Sequence, residues 1–182
     1  MPMNATHANR ARAVAASVAD APTPRLSLSI QSGSAALSLP VSRQRLRRWV
    51  TLALQTDARL TLRFVDSREG RALNAGYRGR DYATNVLTFN YPPSQQPSGT
   101  STCLADIVIC LPVVRREARE QRKPLEHHLA HLVIHGVLHA QGFEHEHAAQ
   151  ATAMEALETA LLRRLRIPDP YASEKPLIKA AS

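Results

Sequence analysis

From Pro124 to Gln141 the sequence is apolar on almost every side, yet His127, His131, His135 and His139 recur at every fourth position. Residues at i and i+4 project from one face of a helix, one turn apart. Leu132, Val133, Ile134, Val137 and Leu138 require that helix to be deeply packed, so its histidines need polar partners. The surface able to receive such a helix is CLADIVIC, residues 103–110, a strand apolar enough to lie centrally in a sheet. Seating this helix on this strand is the constraint the remaining elements must satisfy.

Those elements are short and regular. Leu26, Leu28 and Ile30 alternate, which predicts a strand, and Ser42 is placed as the N-cap of a helix whose apolar stripe is Leu46, Trp49, Val50, Ala53 and Leu54. Leu60, Leu62 and Phe64 alternate with Arg59, Thr61 and Arg63 in a second strand. Asp66 and Glu69 form a capping box for a short helix ending near Gly76, and NVLTFNY, residues 85–91, reads as a third strand. After CLADIVIC come a helix through Arg122, the histidine helix, and a last helix over 148–166 with Met154, Leu157, Leu161, Leu162 and Leu165 as its stripe. The order β-α-β-α-β-β-α-α-α predicts an α+β fold, with a single mixed sheet of four strands packed against helices and a metal site at the end of a central helix.

Residues 25–172 are expected to form one catalytic α/β domain, preceded by a disordered leader, residues 1–24, and followed by a flexible tail, residues 173–182. The leader is rich in Ala, Arg, Ser and Thr, also the composition of an import peptide, so organelle import stands as a minor reading. Cys103 and Cys110 lie seven residues apart on one predicted strand and face opposite ways, which excludes a disulfide scaffold. No apolar run approaches the roughly 18 residues that cross a bilayer, and neither a membrane nor a small organic cofactor is expected.

The net charge of +8 comes from 23 basic and 15 acidic residues, and all but Lys123, Lys175 and Lys179 of the basic ones are arginine. The excess is concentrated early, where Arg43, Arg47, Arg48, Arg59 and Arg63 are the candidates for a patch that binds an acidic polymer such as nucleic acid. The competing explanation is a compositional bias toward arginine.

Within HGVLHAQGFEH, His135 and His139 share a helical face, Gly142 can end the helix and turn the chain, and His145 then returns as a third ligand. Three imidazoles leave tetrahedral zinc one open position, as catalytic sites require, so one zinc ion per chain is expected at His135, His139 and His145. The alternative is a histidine stripe on a solvated edge. In metallopeptidases with this spacing, the residue after the first histidine is a glutamate that activates water; here it is Gly136.

The histidine motif resembles that of the YbeY endoribonucleases, which are similar also at Leu73-Asn74, Tyr77-Arg78, Asp81, TNVLTF (84–89), ADIVI (105–109), MEALE (154–158) and DPY (169–171). Departures from the family pattern are Ala105 for Gly, Asn85 for Asp, Phe143 for Tyr, Glu144 for Asp, and Ala140-Gln141 for an apolar pair. The resemblance implies a zinc-dependent, single-strand-specific endoribonuclease acting in 16S rRNA 3′-end maturation and ribosome quality control in the bacterial cytoplasm. Its partners would be ribosomal RNA and the small ribosomal subunit. It also implies catalytic roles for His135 and Arg78, the latter placed in the connection GYRGRD, where the competing assignment is a surface ion pair with Asp81. The rival functions are a zinc-dependent peptidase-like hydrolase and a ribosome assembly factor with a structural metal.

Overall fold

The computed structural model describes residues 23–92, 102–143 and 147–172, so the expected leader and tail fall almost wholly outside it. In chain order the elements are β1 (Leu26–Ser32), α1 (Arg43–Ala53), β2 (Ala58–Val65), α2 (Ser67–Arg78), β3 (Val86–Asn90), β4 (Cys103–Cys110), α3 (Leu111–Glu120), α4 (Leu125–Ala140) and α5 (Ala148–Arg164). The sheet order is β1-β2-β4-β3, with β1, β2 and β4 parallel and β3 antiparallel to β4. The fold is α+β with one mixed four-stranded sheet. Among the described residues, no helix is long and apolar enough to cross a membrane.

Strand alternation divides the interior. Leu28, Leu60 and Ala105, then Ile30, Leu62 and Ile107, line up across β1, β2 and β4 and meet Leu46, Trp49, Val50, Leu129, Val133 and Val137 in the main core. The opposite face carries a smaller cluster of Val65, Leu87, Val108, Cys110 and Val113, with Leu73 of α2 packed against it. Cys103 and Cys110 accordingly face opposite ways. The Cys103 thiol donates to the Ala140 carbonyl at 3.0 Å and that of Cys110 to the Asp66 carbonyl at 3.5 Å.

Local signals set most boundaries. Ser42 Oγ accepts from the Arg45 amide at 3.2 Å, and Asp66 Oδ1 from the Glu69 amide at 2.8 Å. The capping box is only half made, because the Glu69 carboxylate turns to Arg63 instead, 2.7 Å away. α2 also outlasts the expected end at Gly76: Gly79, at φ +66°, is the residue that takes the left-handed cap. Arg78 is thus the last residue of a helix rather than part of a loop. Gly142, at φ +86°, closes α4 as expected.

α4 approaches the sheet more closely than most side chains would allow. A Cβ on Gly136 would stand 2.7 Å from Ile107 Cγ2 and 3.5 Å from Val86 Cγ2. At the helix end, the Gln141 amide accepts from the backbone N–H groups of Gln55 and Thr56 and donates to the carbonyls of Ala53 and Val137. This polar residue, a departure from the family pattern, pins the exit of α1 to α4. Gly136→Ala is expected to destabilise the protein by about 1–3 kcal/mol through overpacking. Ile107→Leu in the same chain, which removes the Cγ2 methyl that the new Cβ would meet, should return part of that loss, measured by urea unfolding.

Candidate functional site

His131 and His135 line the edge of α4 that faces α5, with His139 one turn further on. The His131 and His135 ring centroids are 6.2 Å apart, and those of His135 and His139 4.5 Å apart. α4 is held here by β3: Thr88 Oγ1 lies 3.5 Å from the Gly136 carbonyl, and Asn90 Nδ2 donates to the His139 carbonyl at 3.3 Å. His145, the third expected ligand, lies outside the described residues.

Behind the histidines sits Glu158 of α5, fully buried. One carboxylate oxygen is 2.7 Å from His135 Nδ1 and the other 2.9 Å from His131 Nε2, and the Tyr171 hydroxyl donates to the latter oxygen. Tyr171 is itself 3.1 Å from His131 Nε2. Burial alone would raise the pKa of this carboxyl, but the hydrogen bonds from His131, His135 and Tyr171 outweigh it and bring it to about 2. Glu158 is therefore ionised at neutral pH and holds the proton of His135 on Nδ1. The tautomer this selects directs the Nε2 lone pair outward, the arrangement found behind metal-bound histidines.

Neither the role of Glu158 nor those of His131 and Tyr171 follows from the sequence motifs. One signal is present there: position 158 falls on the stripe of Met154, Leu161 and Leu162, all buried, and an acid there must be paired. Atoms of His131, His135 and Glu158 lie within 4.8 Å of one another and could themselves hold a metal. Separations of 2.7–2.9 Å, however, are those of hydrogen bonds already made between the would-be ligand atoms.

A second chain of polar groups runs alongside. Glu117 lies 2.8 Å from His128 Nε2 and accepts from Asn85 Nδ2 at 3.1 Å. Asn85 thus places a neutral donor where the family's aspartate would oppose a second carboxylate. Ala105, the other core departure, is buried without difficulty.

The expected basic residues do not form one surface. Arg78 is exposed at the end of α2, next to Tyr77, whose ring packs at a tilt against Phe89 of β3 with centroids 4.5 Å apart. Asp81 pairs bidentately with Arg71 at 2.6 Å, so the ion pair weighed against Arg78 belongs to another arginine. Arg43 and Arg47 lie on α1 and donate to the Ile30 and Leu26 carbonyls of β1 at 2.6 and 3.4 Å, with Arg48 on the same helix. Arg59 and Arg63 alternate with core residues of β2 and so occupy the sheet face away from α1, where Arg63 pairs with Glu69. Periodicity assigns each residue to its element but cannot show that the two elements use opposite sides of the sheet.

Known proteins are similar to this chain over most of its length. The family described as endoribonuclease YbeY matches residues 34–166. The chain belongs to the YbeY family. Among YbeY relatives, the endoribonuclease YbeY of Cupriavidus pinatubonensis is 56% identical over 83% of this chain and 74% of its own. That of Thiobacillus denitrificans is 52% identical over 82% of this chain and 99% of its own. The matched YbeY region includes α1 through α5, and with them the histidine helix, Arg78 and Glu158.

The depressed pKa of Glu158 sets a pH dependence. Its contribution to stability is complete above the ordinary carboxyl value of 4.5 and is lost as pH falls toward about 2. In metal-free protein, the melting-temperature gap between wild type and Glu158→Gln should be widest above that range and close on acidification. Glu158→Ala, which leaves two histidines without their acceptor, should cost about 3–5 kcal/mol at neutral pH.

Proposed function

We propose that this protein is a zinc-dependent, single-strand-specific endoribonuclease that hydrolyses RNA phosphodiesters, with one zinc ion held by His135, His139 and His145. The observation that carries this reading is the buried Glu158 carboxylate on His135 Nδ1, which directs Nε2 of that ring outward beside His139. The donor set fits zinc: imidazoles one helical turn apart, with an ionised carboxylate behind the first. Bound zinc supplies Lewis acidity toward a phosphoryl oxygen.

The protein's own groups do the rest. Glu158, hydrogen-bonded also to His131 and Tyr171, keeps the His135 ring oriented and its proton on Nδ1. The Arg78 guanidinium makes no hydrogen bond or ion pair with another described residue, so its planar fork is available to meet charge growing on the phosphoryl oxygens. The relatives' printed name, endoribonuclease, supports RNA as the substrate. The finer assignment is 16S rRNA 3′-end maturation and ribosome quality control, with the small subunit as partner, in the bacterial cytoplasm. It rests on the family resemblance, as does treating residues 25–172 as one catalytic domain.

Gly136 weighs against a peptidase. The position where such enzymes carry their glutamate points into the sheet, 2.7 Å from Ile107, and has no room for a side chain. A structural metal is disfavoured at the cysteines, since burial raises the pKa of both thiols and Cys110 lies on the opposite face of the sheet.

Purified protein should cleave labelled single-stranded RNA and leave casein intact, with chelator abolishing the cleavage; the reverse preference would sink the reading. Replacing His135, His139 or His145 by Ala should each collapse zinc stoichiometry by metal analysis, and a variant that keeps its zinc removes that residue from the site. Arg78→Ala should retain zinc and fold while losing roughly 100-fold or more in single-turnover cleavage, the scale of one missing oxyanion donor. Arg78→Lys should recover only part of this.

A further inference from the structure

Along α1, between it and the last turn of α5, lies an open groove. Its first compartment, about 660 Å³, is lined by Arg47, Arg48 and Arg164 over a floor that includes Thr51, Leu52 and Leu165. A second, about 440 Å³, shares Arg48 and Arg164 and extends to Arg45, Arg166 and Glu126. Among the described residues lining either compartment, Glu126 is the one carboxylate, and Arg45 already holds it at 2.7 Å. The guanidiniums of Arg48, Arg163, Arg164 and Arg166 make no hydrogen bond or ion pair with another described residue. α1 itself contains no acid.

Arg166 adds an independent observation. It adopts φ +61°, just past α5, in the left-handed region that an L side chain enters only at a penalty. Glycine would occupy that position without strain. The fold accepts a strained arginine there, beside a groove already dense in arginine.

We infer that this groove is an anchoring surface for the phosphate backbone of RNA, its second compartment remote from the site of cleavage. From Glu126, which lines that compartment, to His139, α4 rises about 20 Å at 1.5 Å per residue, so a phosphate held there is not the one being cut. Guanidiniums stand on both walls, those of α1 facing Arg164 and Arg166 of the α5 end, and each presents a planar fork suited to phosphate oxygens. Five arginines against one carboxylate line the two compartments, a balance that favours a polyanion. Arg59 and Arg63, on the other face of the sheet, take no part. The inference rests on the endoribonuclease reading for its ligand and deepens it by dividing the substrate-binding surface into a cutting end and a holding end.

The test uses the zinc-loaded full chain, with a long single-stranded RNA and a dinucleotide too short to span the two ends. Arg164→Glu combined with Arg166→Gly should weaken binding of the long RNA. Its log-log salt slope should fall by roughly 0.7 for each phosphate the protein no longer neutralises. The ratio of kcat/KM for long over short substrate should fall with it, through KM. Arg166→Gly alone should melt at the same or a higher temperature while binding long RNA more weakly, opposite movements that a structural role would not produce. Unchanged affinity and salt slope in the double variant overturn the groove as an RNA anchor. So does loss of polyglutamate binding with RNA binding retained, which would assign the surface to an acidic protein. The two readings fail separately: wild type that binds RNA through these arginines but cuts nothing overturns the nuclease, whereas wild type that cuts while the variants bind and cut equally overturns the groove.

Discussion

The structure depends on how closely α4 lies against the sheet. Protein interiors tolerate few voids and fewer overlaps, and a helix axis ordinarily stands off from a sheet by the thickness of two side-chain layers. At Gly136 one of those layers is missing, and the helix backbone drops onto Ile107, Val86 and Thr88. The neighbouring His135 is thereby set against the edge of the sheet instead of above it. Thr88 and Asn90 of β3 then take hold of the helix carbonyls on either side. The same glycine that excludes a glutamate from the helix makes the histidine geometry available, so the loss of one chemistry and the access to another have one steric cause.

A buried carboxylate completes the arrangement from the other side. Glu158 occupies a place on α5 that the packing pattern assigns to an aliphatic residue, and it is tolerated because three donors converge on it. Burial of a charge is expensive unless every lone pair is engaged. Tyr171, reached only after the chain has turned past Pro168 and Pro170, provides one of those donors and so ties the stretch after α5 back to the histidine helix. Stability and ring orientation are therefore secured by the same bonds.

Much of this is legible in the chain itself. Alternation in β1, β2 and β4 and the helical stripe of α1 identify the elements, and the fold class follows from their order. The placement of Cys103 and Cys110 on opposite faces follows from strand period alone. What periodicity cannot convey is which element meets which. Glu158 lies on the apolar stripe of α5 with no partner in view until the histidine edge of α4 is placed beside it. Arg43 and Arg59 look like members of one basic cluster until the sheet is placed between them. From sequence α2 is expected to end near Gly76, but glycine alone does not mark a stop, and it is Gly79 that has the backbone dihedral of a cap.

β1 closes one edge of the sheet and, being parallel to β2, bonds to it along one side only. An exposed edge of this kind is a template on which another extended chain could pair. Here Arg43 reaches across from α1 and fills the Ile30 carbonyl at 2.6 Å, and Arg47 does so more loosely at Leu26. Each occupied carbonyl is an acceptor that an incoming strand would find already taken, and each guanidinium sets a bulky cation on the line of approach. Two arginines that composition suggested for nucleic acid thus also guard the molecule against polymerising through its own sheet.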